Sequence, residues 1–280
     1  MSRWVGAPVL ASLLIVSGCE TNTPASSGNA AANSVLRLAV TTSTRDSGLL
    51  DMIVPVFEQW HNARVDVIAA GTGKALKLGE SGDVDVVLVH AREAEDAFMA
   101  AGHGSRREDV MYNMFEIVGP PGDEAEIGDL NAAEALRKIA EQGAVFVSRG
   151  DDSGTHKREL ALWKKAGKRP EWDGYLESGQ GMGATLVMAD QKQGYALCDR
   201  GTYLAMRDKL ELEPLVAASD ELKNPYGVIT VNAKKHESVN AALADEFVDF
   251  LISFDIQRAI RDFKVNGEAL FHPLRISENL

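Results

Sequence analysis

The sequence has only two cysteines in 280 residues, Cys19 and Cys198. One stands near the N-terminus and the other deep in the chain, so no disulfide is expected and the fold must rest on its core. Positive charge is also scarce: 29 Lys and Arg against 41 Asp and Glu give a net charge of −12. No long basic run is present, which argues against nucleic acid as a partner. The six histidines (61, 90, 103, 156, 236 and 272) are dispersed. They lack metal-ligand spacing, so each is expected in the core or on the surface, with no metal site and no cofactor. There is no internal repeat. The apolar run from Val9 to Val16 is too short to span a bilayer stably.

What is present begins with that run. Arg3 gives a short basic start, and Val16-Ser17-Gly18-Cys19 places small residues just before a cysteine. This resembles a bacterial lipobox, with residues 1–18 as signal peptide and Cys19 as the lipidated residue; the alternative is an ordinary signal peptide that contains a cysteine. Several acyl chains on one cysteine would anchor the chain firmly, at about 0.8 kcal/mol per buried CH₂. Residues 19–34 are rich in Ser, Thr, Asn, Ala and Gly and read as a flexible tether.

The rest of the chain suits one large domain or two lobes. Strand-like runs (Val35–Val40, Val65–Ala69, Val84–Val89) alternate with helical patterns (Leu49–Trp60, Lys74–Glu80, Glu93–Ala101). The alternation predicts an α/β fold of parallel sheets with helices on both faces. Pro55 is expected to kink or shorten its helix. Phe115-Glu116-Ile117-Val118 reads as extended and Gly119-Pro120-Pro121-Gly122 as a break. A second α/β set runs from Leu130 to about Pro214, and two helices end the chain, at Val239–Ile252 and Ile256–Phe263. One consistent reading is two doubly wound α/β lobes joined by two crossover strands, with 35–117 and 220–280 in lobe I and 118–219 in lobe II. Hinges are then expected near Ile117–Pro121 and Leu215–Pro225.

Two loops carry the chemistry. In the first, Ser148-Arg149-Gly150-Asp151-Asp152-Ser153-Gly154-Thr155-His156 lies between the strand-like Ala144–Val147 and a helical run from Lys157. A strand that opens through small residues into a helix aims backbone N–H groups and a positive dipole end at one spot. Arg149, Ser153 and Thr155 can converge there as an oxyanion clamp, with Arg149 held by Asp151 or Asp152. In the second, Thr41-Thr42-Ser43-Thr44 follows the first strand and precedes Asp46-Ser47-Gly48, a plausible helix cap. Both runs could merely cap helices, but face to face across a cleft they would enclose a small anion. Local dipoles must then overcome an unfavourable global charge. Gly71-Thr72-Gly73-Lys74 fails the Walker pattern, with Ile68 and Ala75 at positions that need Gly and Ser or Thr. It reads as a strand-to-helix turn, with Gly73, like Gly154, a secondary wall of the cleft. A serine hydrolase using Ser153 is the enzyme alternative, but nothing flanking Ser153 resembles a nucleophile elbow.

Taken together, several stretches resemble the tungstate-binding lipoproteins of ABC importers, within the type II periplasmic binding proteins. They include Thr41–Thr44, Gly48–Asp51, Gly71–Leu76, Asp85–Ala91, Phe146–Lys157, Asp199–Ala205 and Asn224–Ile229. The resemblance implies a two-lobed binding protein, not an enzyme, that captures tungstate or molybdate with Thr41, Thr42 and Ser43 from one lobe and Arg149, Ser153 and Thr155 from the other. It implies a monomer docking on an ABC permease with its ATPase, held by its lipid in the periplasm or at the outer face of the cell membrane. Val40 departs from the family's pattern, standing where its hydroxyl run starts; so do Cys198, where threonine is usual, and Met114, where a polar residue is common. Phosphate is the rival anion, since phosphate-binding proteins use a similar loop in which an aspartate accepts the ligand's proton. Asp151 and Asp152 are therefore expected to turn toward Arg149 or the backbone if the ligand carries no proton.

Overall fold

A computed structural model describes residues 34–168 and 170–277. The signal peptide, Cys19 and the tether expected at the N-terminus lie outside the described residues, except Ser34, which begins the first strand. The elements run β1 (Ser34–Thr41), α1 (Thr42–Asp46), α2 (Leu49–His61), β2 (Ala63–Ala70), α3 (Thr72–Ser81), β3 (Val86–Val89), α4 (Arg92–Ala100) and β4 (Gly104–Gly119). Then come α5 (Ala132–Glu141), β5 (Phe146–Ser148), α6 (Gly154–Lys165), β6 (Tyr175–Glu177), α7 (Met182–Gln191), β7 (Ala196–Asp199) and α8 (Arg200–Met206). The chain ends with β8 (Glu213–Pro214), β9 (Lys223–Val231), α9 (Ala241–Ile252), α10 (Phe254–Asp262), β10 (Lys264–Val265), β11 (Glu268–Ala269) and β12 (His272–Pro273). Among the described residues no helix is long and apolar enough to cross a membrane.

The main sheet has the order β12-β4-β9-β3-β1-β2, and β7 and β8 also pair with β4. Pairing is parallel for β1–β2, β1–β3 and β5–β6, as the alternating pattern predicts. It is antiparallel for β3–β9 and for every partner of β4, so the sheet is mixed rather than parallel. The reason is β4 itself. This 16-residue strand pairs with β9 as far as Met114 and with β7 from Phe115 onward. A strand that changes partners midway needs no crossover helix, and the return strand β9 runs back along it. The sequence pattern marks only Phe115–Val118 as extended, a quarter of the strand, because the first part is charged and half-buried.

Side-chain alternation along the strands makes cores on both faces of each sheet region. Leu36, Leu38 and Val40 of β1 pack with Ile53 and Phe57 of α2 and Phe247 and Leu251 of α9, whereas Ala39 packs with Leu76 of α3, Phe98 of α4 and Ile229 of β9. Beyond the partner switch, Ile117 and Phe146 pack with Ile139 of α5 and Trp163 of α6, while Val118 and Val147 pack with Leu186 of α7 and Leu204 of α8. Val40 and Cys198 are fully buried in these cores, and Met114 is buried beside Phe115 and Ile117. All three departures from the family's pattern are thus packing positions, not cavity-lining ones. α2 runs through Pro55 without ending there, so of the expected kink or shortening the second does not occur. Pro55 and Asp51 are exposed, so the carbonyl that loses its intrahelical partner meets water.

Candidate functional site

Six strand-to-helix junctions open onto one cavity of about 710 Å³. Its lining includes Thr41, Gly71, Ala91, Ser153, Gly181 and Asp199, the residues that precede α1, α3, α4, α6, α7 and α8. The first N–H groups of a helix have no intrahelical acceptor, so these ends present donors to whatever enters. The macrodipoles of the longer helices α3, α6 and α7 add positive potential at the same place. An acidic protein thereby contains a donor-lined pocket.

Thr41, Thr42, Ser43, Arg149, Ser153 and Thr155 all line this cavity, and so do Gly73 and Gly154. The hydroxyl run is a helical turn, not a loop. Thr41 is buried and caps α1, its Oγ1 accepting the Thr44 N–H at 3.4 Å. Thr42 is exposed in the cavity and Ser43 half-buried. The expected cap of α2 at Asp46-Ser47-Gly48 is formed by its last two residues: Gly48 is the N-cap in a left-handed conformation, and the Ser47 hydroxyl accepts the Leu49 N–H at 3.3 Å. Ser153 caps α6, its Oγ accepting the His156 N–H at 3.3 Å, while Thr155 is buried against the cavity. Capping and cavity lining therefore coexist at Thr41 and Ser153, because a hydroxyl that accepts from the backbone still carries a proton to donate.

Three of the four carboxylates that line the cavity, Asp151, Asp152 and Asp199, have a partner within 3.5 Å, and the fourth, Asp46, is exposed. Asp151 Oδ2 accepts from Arg149 Nη2, and its Oδ1 accepts the Ser153 N–H at 3.2 Å. Burial alone would raise Asp151, but the Ser153 hydrogen bonds and the Arg149 charge outweigh it and hold the carboxyl below its ordinary range. Asp152 turns to Lys157 at 3.5 Å, not to Arg149 or the backbone as expected, because its left-handed φ of 56° swings it outward. Asp199 accepts from the Thr202 N–H and hydroxyl at 2.9 and 2.7 Å, and Asp46 lies 3.8 Å from Arg45.

A buried carboxylate supports the Arg149 loop from beneath. Glu159 of α6 accepts from Ser148 Oγ at 2.7 Å, Tyr175 Oη at 2.8 Å and Trp163 Nε1 at 3.1 Å. Ser148 Oγ in turn receives the Gly150 N–H at 3.2 Å. Gly150 has φ 60°, and a Cβ there would stand 2.7 Å from Glu177 Cβ. Gly150→Ala is therefore expected to cost about 1–3 kcal/mol and to weaken anion binding; a urea midpoint and a binding titration would check both.

The hydrolase alternative fails on geometry. His156 Nδ1 accepts the Asp152 N–H at 3.1 Å, and Ser153 Oγ meets the His156 backbone, not its ring. Sequence reading missed Gly181, His90 and Asp199 as lining residues. The small-residue run Ser178-Gly179-Gln180-Gly181 before α7 is the same kind of signal as the Arg149 loop and could have found that junction. His90 has no comparable local signal.

Residues 23–255 match the model of a PBP superfamily domain. The tungstate-binding protein TupA of Peptoclostridium acidaminophilum is 47% identical over 84% of this chain and 84% of its own length. The solved tungstate-binding protein TupA of Desulfovibrio alaskensis G20 superposes with a TM-score of 0.82 at 45% identity, over 86% of this chain and 99% of that one. The crystal structure of the tungstate ABC transporter from Geobacter sulfurreducens matches at TM-score 0.75 and 51% identity, over 82% of this chain and 98% of that one. The extent of these matches, over a fold whose helix N-termini gather round one donor-lined cavity, shows that the chain belongs to the PBP superfamily and, within it, to the family of these binding proteins.

Proposed function

We propose that the chain is the extracytoplasmic substrate-binding component of an ABC importer that captures tungstate and delivers it to the membrane permease. The observation that carries this reading is a cavity lined by helix N-termini and hydroxyls, in which Asp151, beside Arg149, and Asp199, on the N-terminus of α8, are each held by donors of their own. A site for a fully deprotonated tetrahedral dianion needs donors only, and an unpaired carboxylate would repel it. A phosphate carrying a proton needs an acceptor, and Asp151 and Asp199 are engaged by donors of the protein itself.

Thr41, Thr42 and Ser43 would bind from one side, and Arg149, Ser153 and Thr155 from the other, with Gly73 and Gly154 as secondary wall. Nanomolar binding corresponds to about −12 kcal/mol. Hydrogen bonds to charged groups contribute roughly 1.5–3 kcal/mol each. About five to eight good donors suffice once water is excluded. The cavity is far larger than one oxyanion, so the halves must close on it. Residues 35–117 with 220–280, and residues 118–219, act as the two lobes, hinged near Ile117–Pro121 and Leu215–Pro225. Molybdate, of nearly the same size and charge, is the expected second ligand. The protein works as a monomer with a permease and its ATPase, tethered to the membrane by lipid on Cys19.

Calorimetric titration of the purified protein with tungstate, molybdate, sulfate and phosphate tests the reading. Tungstate is expected to bind tightest; a preference for phosphate sinks the proposal.

A further inference from the structure

The side-chain charges that line the cavity do not by themselves balance a dianion. Arg149 is paired with Asp151 and Lys157 with Asp152; Lys74 is the third lining cation, and Asp46, 3.8 Å from Arg45 outside the lining, and Asp199 are the other two carboxylates. Three cations against four carboxylates give the lining one net negative charge. Neutral donors and dipoles alone would have to offset that charge and hold two more.

His90 can change this balance. It follows β3, lines the same cavity and is half-buried. Its Nε2 lies 3.5 Å from Ser43 Oγ, while its Nδ1 is buried and has no hydrogen-bond partner among the described residues. Its ring packs on Tyr226 of β9, with centroids 4.8 Å apart. Its Cε1 stands 3.2 Å from the point where a Cβ on Gly154 would lie, so the ring also meets the first residue of α6. Burial pulls the imidazole below its ordinary range, and nearby Asp199 and Asn224 only partly oppose this. The N-terminus of α6 disfavours a cation there as well. Tyr226 stays a neutral phenol because burial raises it. Without an anion, then, His90 is uncharged, with one nitrogen lone pair free to accept a proton.

We propose that His90 is a further group of the anion site and takes up one proton as the oxyanion is captured. This rests on the tungstate reading above. The proton comes from the buffer and adds to the ring nitrogen lone pair; the resulting imidazolium has two N–H donors and offsets half the charge of the dianion. The sign follows from linkage. A bound dianion raises the His90 pKa relative to the free protein. Between the two values binding takes up a proton, and affinity rises as pH falls.

The test is titration of the full chain with sodium tungstate near neutral pH in Mes, Hepes and Tris, whose ionisation heats differ. The expected result is uptake approaching about one proton per tungstate, with affinity at least about fivefold tighter near pH 6 than near pH 8. His90→Gln is expected to bind tungstate with no proton uptake and a flat pH profile. Tight tungstate binding without proton exchange in the unaltered protein overturns the proposal and leaves the tungstate reading standing. Proton uptake that persists in His90→Gln overturns it too. An unaltered protein that does not bind tungstate removes the reading itself. The proton count of the unaltered protein decides the matter even if the variant does not fold.

Discussion

Arg149→Ala is expected to weaken tungstate binding at least about a hundredfold, or about 2.7 kcal/mol, with the fold retained. The guanidinium is held by a charge-assisted hydrogen bond: Asp151 accepts from Nη2, and the Ser153 N–H donates to Asp151 in turn. Its Nε is buried with no hydrogen-bond partner among the described residues, an N–H that an oxyanion oxygen would satisfy. Removing the side chain also leaves Asp151 uncompensated beside the anion, so repulsion adds to the lost attraction. Arg149→Lys keeps the charge but loses the planar fork, and a smaller loss is expected. Calorimetry reads both, with thermal unfolding as the control; an unchanged dissociation constant for Arg149→Ala would make Arg149 purely structural. The clasp should persist across neutral and mildly acidic pH. Asp151 titrates below its ordinary value, so its contribution is present above that value and is lost only as pH falls through the lowered one.

The second large effect is expected at Glu159. Glu159→Ala removes the acceptor of three side-chain donors, Ser148 and Trp163, which are buried, and Tyr175, which is half-buried. Leaving buried donors unmet costs about 1–3 kcal/mol each, so a total loss of about 3 kcal/mol or more is expected. The effect should also reach the anion. Ser148 orients Gly150 through its hydroxyl, and Gly150 follows Arg149 in the chain. Glu159→Ala should therefore weaken tungstate binding even where the protein remains folded, whereas Glu159→Gln, which keeps one acceptor oxygen, should lose less of both. Denaturant unfolding combined with tungstate titration separates the outcomes. A destabilised protein with unaltered affinity would show that the network supports the core alone. Burial raises Glu159 despite these donors, so ionising it in the fold carries a cost that grows as pH rises from its unfolded to its folded value.

The fold was legible where local pattern and tertiary environment agree. The branched run of β1, the buried Val86–Val89 of β3 and the amphipathic α9 and α10 each announce their own surroundings. The long β4 was not, since its first part is charged and half-buried and its length depends on strands far away in sequence. The mixed sheet escaped for the same reason: strand direction is a property of pairs. At the site, the Arg149 loop and the hydroxyl run could be read because each combines donors with a strand-to-helix junction. His90 could not, because a single histidine after an apolar strand is ambiguous until its neighbours are known.

The sequence by itself determined the alternating α/β pattern, the two donor-rich loops and the acidic balance against which they must work. These are short-range features, written within a few residues of each other. Only the tertiary structure decided that junctions as far apart as Thr41 and Asp199 open on one cavity, that Asp152 turns to Lys157, and that His90 stands between Ser43 and Gly154. Strand order and register place those helix ends together, and register is a relation between distant segments that no local run of residues encodes.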